Sequence, residues 1–428
     1  MRLPDRTALN GPIARATLRT SFVLGLRLLV QAGTLLLVAR MLGPNQFGAF
    51  AGVAALAVVL GTLSTFGTHL VLLGEVSKEP ARREDVLRFA LPTTLFCGGI
   101  LLVAYLAIGL IAFPETNLAF VVLLALGVTE ITLQPLTGLG ASEHHGLGRV
   151  ARAQLLTILP LALRMVAAAV VVALKPADPL GMYVYGYGTA SLLALVLVML
   201  TLPAPWPWPP KWRLPRRTEL RAAIGFAALN ITKAGPTEFD KTLATTLLPL
   251  ASAGLYAVGA RIIGSITLPV TAMPLSALPR FFRESQDQPQ RTVRLLRWMF
   301  GTAAGYSMAL AGLLWLTAPV FAWVFGNRYQ GVDQAVRWLC IAIPGMAIRL
   351  TAGNVLMALG KPWIRVSFEV CGLIALIIAS IFLAPRFGMI GMALALVCSE
   401  WTMSAVGLAA TISVNRELVS MSKRLSCH

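Results

Sequence analysis

Long apolar runs, separated by short polar or basic links, recur along the whole chain. Each run is about 20 residues long, which lets one helix cross about 30 Å of hydrocarbon. The pattern predicts helices at roughly 20–39, 47–73, 89–113, 117–140, 151–174, 180–202, 220–248, 253–279, 294–324, 334–358, 363–384 and 387–412. We therefore expect an all-α integral membrane protein with about twelve transmembrane helices.

The composition supports a membrane protein. Of the 428 residues, 57% are apolar and 13% are charged, and the mean hydropathy is +0.75. These values exclude an ordinary soluble protein. The N-terminus is basic, but the first apolar run is not followed by a small-residue cleavage site, so we expect this span to remain in the protein.

Neither a metal site nor a cofactor is predicted. The five cysteines form no CxxC pair, and four of them lie inside apolar runs, which is typical of small core residues. The four histidines show no zinc-ligand spacing.

The net charge of +18 follows a membrane topology. Of the 36 lysines and arginines, 25 fall in segments that are cytoplasmic if the N-terminus is inside, and 5 fall on the outer side. This asymmetry satisfies the positive-inside rule and predicts that both termini are cytoplasmic. The expected partner of the basic surface is anionic inner-leaflet lipid rather than nucleic acid.

A segment rich in proline, tryptophan and arginine at 204–219 separates two predicted lobes, 1–203 and 220–428, with six spans each. Its prolines cannot continue a helix. Three short similarities align the halves at offsets of 206 to 212 residues, among them 48–50 with 254–256. We therefore predict a duplication, with the lobes related by an axis along the membrane normal and a site at their interface.

Charged residues within the predicted spans are the candidate functional residues. The repeat places Arg27 and Lys233 at equivalent positions of the first and seventh spans. Gln31 follows Arg27 by one turn on the same helix face. Polar and apolar side chains segregate to opposite faces over residues 230–241, which predicts a helix there rather than a loop.

Two interpretations of these charges stay open. In the first, they form structural ion pairs, or the cations reach the membrane surface. The expected pairs are Asp240 with Arg261 across the hairpin of the seventh and eighth spans, Glu238 with Lys241 at i and i+3, and the other cations with Glu130, Glu369 or Glu400.

In the second interpretation, the excess of cations forms an anion-binding cavity between the lobes, because the planar arginine fork binds phosphate bidentately. The cavity would bind the diphosphate of a substrate through Arg27, Lys233, Arg261, Arg164, Arg349 and Lys241. Asp240, Glu238 and Gln31 are the candidates for ion coupling or gating.

Enzyme signatures are missing from the sequence. There is no GxxxxGK[ST] phosphate loop, no GxSxG elbow and no paired-carboxylate motif in a loop. We therefore do not expect an enzyme.

The stretch 38–78 contains Arg-x-Leu-Gly-Pro at 40–44, Phe-Gly at 47–48, and Phe-Gly at 66–67 before a basic link. With these motifs it resembles the polysaccharide flippases of the Wzx type, in the MOP exporter superfamily. The second half is similar at 238–282, and the likeness covers most of the chain.

The resemblance implies two six-helix lobes in a V, as in the MATE-like transporters, and alternating access. It also implies an undecaprenyl-diphosphate-linked oligosaccharide as cargo, moved to the outer leaflet of the bacterial inner membrane. Glycan polymerases, co-polymerases and glycosyltransferases are further expected partners. Lipid II flippases are similar in using arginines of the first and eighth spans, which here match Arg27 and Arg261.

Other functions stay open at this point. One is a cation-coupled drug or metabolite antiporter of the MATE type, although its cavity should be acidic. A lipid II-type flippase is another, although this chain lacks the two extra spans of those proteins. A glycan polymerase or ligase would need a sizeable outer loop, and a scaffold without transport activity is the last alternative.

Overall fold

The computed structural model describes residues 12–116, 118–267 and 289–425, which are helical with short connections and contain no strand. The helices are α1 (Pro12–Ser64), α2 (Thr68–Lys78), α3 (Arg83–Ala112), α4 (Phe120–Gly127), α5 (Gln134–Gly146), α6 (Val150–Leu174), α7 (Pro179–Thr201), α8 (Arg217–Leu247), α9 (Leu250–Ile266), α10 (Pro289–Phe325), α11 (Val332–Cys340), α12 (Ala342–Ala358) and α13 (Pro362–Leu425). A π-helix, Val128–Leu133, connects α4 to α5.

Two glycines break the longest helices. Gly43 has φ 71° and ψ 171°, and Pro44 follows it, so α1 consists of two arms, 12–42 and 44–64. Gly388 has φ 57° and ψ −133°, so α13 also consists of two arms, 362–387 and 389–425. Positive φ angles cost glycine little. The arms match the first two and the last two spans predicted from the sequence.

Some predicted boundaries differ from the structure. The predicted second span, 47–73, is interrupted because Phe66 and Gly67 adopt φ angles of 46° and 75°, after which α2 begins. The charged stretch 230–241 lies inside the continuous helix α8, as predicted. The eighth span was predicted at 253–279, and its residues beyond 267 lie outside the described residues.

Seven helices among the described residues are long and apolar enough to cross a membrane, or eight if the bent pair α11 and α12 is one span. Their outer faces carry large exposed apolar side chains, including Phe96, Ile111 and Leu200. The protein is therefore a multi-pass, all-α membrane protein.

The described residues form two compact units. Unit 1 consists of those up to Leu42 and of Leu56–Asn230, and unit 2 consists of Gly43–Ala55 and those from Ile231 onward. The division at 204–219 that the sequence suggests stays a prediction.

Within unit 2, glycines let the second arm of α1 lie very close to α8 and α9. A side chain at Gly48 would overlap the backbone of Gly254, and one at Gly254 would overlap the carbonyl of Pro44. Thr245 Oγ1 donates to the Gly48 carbonyl at 3.1 Å, which ties α8 to the same arm. The predicted repeat aligns Gly48 with Gly254, and in the structure both glycines lie at this backbone contact.

Candidate functional site

A buried ion pair joins three helical segments of unit 1. Arg164 of α6 lies 2.9 Å from Glu130 Oε1, which the π-helix presents. Tyr187 of α7 donates its hydroxyl to the same carboxylate and accepts a hydrogen bond from Arg164 Nη1 at 2.6 Å. Ser191 Oγ accepts from Arg164 Nη2 at 2.9 Å. We call these four residues cluster 1.

Cluster 1 is electrically neutral, and its guanidinium makes several hydrogen bonds. Arg164 is only 5% exposed. An unpaired charge would be costly at this depth, so the pairing favours a structural function for Arg164. Glu130 is one of the acids predicted from the sequence as a possible partner of the cations. No sequence pattern indicated that Tyr187 or Ser191 would contact Arg164.

A second neutral cluster lies in unit 2. Arg349 Nε of α12 donates to Glu400 Oε2 at 2.8 Å, and Arg349 Nη1 lies 3.8 Å from Glu369 Oε1. Arg365 Nε donates to the same Glu369 oxygen at 3.0 Å. We call these four residues cluster 2. Glu369 Oε2 and Glu400 Oε1 are buried and have no hydrogen-bond partner among the described residues.

The charges of α8 form a third group. Lys241 lies 3.4 Å from Glu238, as the i and i+3 spacing predicts, and 3.2 Å from Asp240. Tyr256 of α9 donates to Asp240 Oδ2 at 2.7 Å. Arg261 lies 3.9 Å from Glu238.

The expected ion pair of Asp240 with Arg261 is therefore wrong. The two residues lie at similar depths of a hairpin, but Asp240 is 1% exposed and is satisfied by Lys241 and Tyr256. Equal depth in an antiparallel pair of helices fixes the level of a side chain but not the direction in which it points.

The remaining predicted site residues are more accessible. Arg27 is exposed on α1, and no ion pair joins it to a described side chain. The Arg261 side chain is 38% exposed, and Gln31 is partly buried. The side chain of Lys233 lies outside the described part of the structure. The six predicted cations thus include three buried and paired ones, Arg164, Lys241 and Arg349, and two accessible ones, Arg27 and Arg261.

A metal centre is not apparent in the part of the chain that the structure describes. No group of three or more histidine, cysteine, aspartate or glutamate side chains there could hold a metal ion.

A family model described as "Polysaccharide biosynthesis protein" matches residues 13–285, well over half of the chain. The chain belongs to the polysaccharide biosynthesis protein family. The matched residues include Arg27, Arg164 and the charged part of α8. No curated protein matches this family member in sequence.

Solved structures of MOP superfamily transporters share the fold of this polysaccharide biosynthesis protein. An inward-facing multidrug resistance MATE family transporter superposes with a TM-score of 0.73 at 15% identity, covering 92% of this chain and 96% of its own. The lipid II flippase MurJ in an inward closed conformation gives 0.68 at 14% identity, covering 95% and 90%.

A MOP superfamily transporter from Pyrococcus furiosus gives a TM-score of 0.61 at 14% identity, covering 93% of this chain and 95% of its own. At these identities the likeness establishes the fold. The prediction of an all-α MOP-type membrane fold is thus confirmed, and the family model confirms the predicted resemblance to a polysaccharide family.

The predicted site cations of this family member are of two kinds, buried and accessible. Buried cations are neutralised by carboxylates and cannot bind an external anion without breaking an ion pair. Accessible cations can bind one at low cost, because their charge is not matched by a close acid. Among the predicted site cations whose side chains the structure describes, Arg27 and Arg261 meet this requirement best.

Proposed function

We propose that the protein is a flippase that moves an undecaprenyl-diphosphate-linked oligosaccharide from the cytoplasmic to the outer leaflet of the bacterial inner membrane, with both of its own termini cytoplasmic. Membership of the polysaccharide biosynthesis family and the MOP transporter fold support a transporter of this kind. The observation that carries the proposal is the accessibility of Arg27 and Arg261, compared with the burial of Arg164, Lys241 and Arg349.

A diphosphate is a concentrated anion that must be bound and later released. Arginine suits this task because its fork donates two parallel hydrogen bonds to phosphate and remains charged. Arg27 is exposed, and the only acid within 4 Å of Arg261 among the described residues is Glu238, at the long distance of 3.9 Å. We assign diphosphate contact to these two arginines and to Lys233, their predicted companion on α8.

In this scheme, cluster 1 and cluster 2 hold helices together, and Lys241 neutralises Glu238 and Asp240 of its own helix. None of these groups contacts cargo. The protein then acts without enzyme chemistry, and an ion gradient or the membrane potential supplies the energy. Glu238 and Asp240 are the candidates for coupling, since Glu238 lies near both Lys241 and Arg261 and Asp240 lies 3.2 Å from Lys241. The proposed partners are glycan polymerases and glycosyltransferases, which would use or supply the cargo.

The test is a flipping assay in proteoliposomes. A fluorescent undecaprenyl-diphosphate oligosaccharide is placed in the leaflet that corresponds to the cytoplasmic side of the membrane. We expect the wild type to deliver the fluorophore to a leaflet where dithionite reduces it. Arg27→Ala and Arg261→Ala should lose most of this activity. Arg386→Ala, which removes an exposed arginine elsewhere in unit 2, is the matched control.

Failure of the wild-type protein to move the lipid would contradict the proposal. Export of a small organic cation by the same proteoliposomes, without lipid movement, would instead identify an antiporter. Retention of full lipid flipping by both arginine variants would leave a flippase but remove the assigned diphosphate contacts.

A further inference from the structure

The connection between α7 and α8 is fixed to unit 1 by side chains that point inward. We call residues 202–216 the strap. Arg83 Nη2 donates to the Ala204 carbonyl at 2.6 Å, and Arg83 Nε donates to Glu143 at 2.6 Å. Glu143 also accepts from Trp206 Nε1 at 3.2 Å. The first half of the strap is therefore held by charge-assisted hydrogen bonds that involve Arg83 and the fully buried carboxylate of Glu143.

Arg213 fixes the second half. Its guanidinium lies 2.7 Å from Glu219 and 3.1 Å from Asp85, and its backbone NH donates to the Arg88 carbonyl at 2.9 Å. The hydrogen bond from Arg213 lowers the pKa of Glu219, so this pair stays ionised at neutral pH. The guanidinium also lies over the ring of Phe89, 4.8 Å from its centroid.

The outward side of the strap carries large apolar and cationic side chains. Trp208 is 75% exposed and Leu214 is 88% exposed. Lys211 and Arg216 of the strap are exposed beside them, and so is Arg217, the first residue of α8. Among the nearby acids, Asp85 and Glu219 are occupied by Arg213, and Glu84 lies 3.5 Å from Lys211 but also pairs with Arg88. No ion pair joins Arg216 or Arg217 to a described acid, so the outward surface has an excess of positive charge. A rigid surface that presents an indole, a leucine and several cations is unusual for a face in contact with water alone.

The level of the strap along the helices indicates what covers it. The strap begins just after Leu200 of α7, which is 77% exposed, and Ile224 of α8, 44% exposed, follows it. On α3, Arg213 contacts Phe89, six residues before Leu95, where the exposed apolar face begins. Six helical residues span about 9 Å, which is comparable to the thickness of the headgroup layer.

We propose that the strap is a lipid-binding surface that rests on the bilayer and binds the headgroups of anionic phospholipids through Lys211, Arg216 and Arg217. Trp208 and Leu214 insert at the boundary between headgroups and hydrocarbon, as interfacial tryptophans do. The charge complementarity with anionic lipid selects this occupant over neutral lipid. Because the strap is already ordered by its inward contacts, binding does not require it to fold. The proposal does not depend on which substrate the protein transports.

The insertion of Trp208 can be tested on the full-length protein in nanodiscs that contain phosphatidylcholine and phosphatidylglycerol. The fluorescence of Trp208 is obtained as the difference between the wild type and Trp208→Phe. We expect brominated phosphatidylglycerol to quench most of this difference signal and aqueous acrylamide to quench it weakly. Strong quenching by acrylamide without quenching by brominated lipid would overturn the proposal and indicate a surface for a soluble partner.

The preference for anionic lipid has a separate test. Native mass spectrometry counts the phosphatidylglycerol molecules that remain bound after extraction from the same nanodiscs. The triple variant Lys211→Ala, Arg216→Ala, Arg217→Ala should retain fewer than the wild type. The control triple variant Lys175→Ala, Arg328→Ala, Arg386→Ala removes equal charge from exposed positions that the sequence predicts on the outer side, and it should retain the wild-type number. Equal losses in both, or no loss in either, would contradict a lipid-binding strap.

Discussion

Cluster 1 and cluster 2 lie on helices that correspond in the predicted repeat, but the helix that carries an acid in one cluster carries a base in the other. In unit 1 the acid Glu130 lies on the fourth predicted span and the base Arg164 on the fifth. In unit 2 the base Arg349 lies on the equivalent of the fourth span, and the acids Glu369 and Glu400 lie on the next two. What the two clusters share is therefore a buried, electrically neutral group of side chains that connects three helices. On a given helix of the group, the charged residue can be an acid or a base.

The two clusters also differ in how completely they are satisfied. In cluster 1, two neutral hydroxyl groups, those of Tyr187 and Ser191, share the guanidinium. Cluster 2 relies on a second arginine, Arg365, and leaves two carboxylate oxygens without a hydrogen bond among the described residues. Loss of an arginine should consequently cost more in unit 2.

The largest effect is expected for Arg349→Ala. This change leaves Glu400 buried without its cation, which should lower the free energy of unfolding by about 5 kcal/mol, the upper end of the range for broken buried pairs. Denaturant unfolding of the purified protein measures it. The double variant Arg349→Met, Glu400→Leu removes both charges and should recover most of the loss. A single variant as stable as the wild type would refute a structural function for cluster 2.

Arg164→Met should have a smaller effect, about 3 kcal/mol in the same unfolding measurement. The reason is that Tyr187 continues to donate to Glu130 after the guanidinium is removed. If Arg164→Met proves more destabilising than Arg349→Ala, the proposed difference between the clusters is wrong.

Tyr187→Phe isolates the hydroxyl contribution to cluster 1. It removes one hydrogen bond to each of two charged groups, so we expect a loss of about 2 kcal/mol. Tyr105→Phe is the matched control, because the Tyr105 hydroxyl is buried and has no hydrogen-bond partner among the described residues. The control should be neutral or stabilising. Similar losses in both variants would mean that packing of the rings, and not hydrogen bonding, explains the result.

The smallest effect on stability is expected at the accessible cations. Arg27→Ala and Arg261→Ala should each change the unfolding free energy by less than about 0.5 kcal/mol, as is usual for exposed side chains without close partners. Circular dichroism during denaturation provides the measurement. A loss comparable to that of Arg349→Ala would place these arginines in the structural class.

Helix positions were largely predictable because apolar run length and glycine or proline positions determine them locally. The prediction at 151–174 differs from α6 by one residue, the break at Gly43 falls between two predicted spans, and the break at Gly388 lies at the second residue of the last predicted span. The π-helix and the break at Phe66 were not predictable from local pattern. Both lie where backbones approach closely, since a side chain at Gly61 would overlap the Glu130 carbonyl and one at Gly67 would overlap α8.

Ion pairs were predictable only where helix geometry alone determines them. Glu238 and Lys241 pair as their i and i+3 spacing requires. Arg349 and Glu400 are 51 residues apart in sequence, so the sequence offered only a set of possible acids. The strap shows the same limit, because its prolines predicted a break between helices, while its fixation through Glu143 and Arg213 depends on contacts with distant helices.

The central claim is that the buried cations stabilise the helices, whereas the accessible cations bind the diphosphate of the transported lipid. The most direct test compares the initial flipping rates of two variants, each normalised to the amount of folded protein. One is Arg27→Ala, and the other is the double variant Arg164→Met, Glu130→Leu, which removes both charges of cluster 1. We predict that Arg27→Ala loses about tenfold or more, equivalent to at least about 1.4 kcal/mol of cargo interaction, while the double variant retains at least about half of the rate. The opposite order, with the double variant inactive and Arg27→Ala fully active, would contradict the claim.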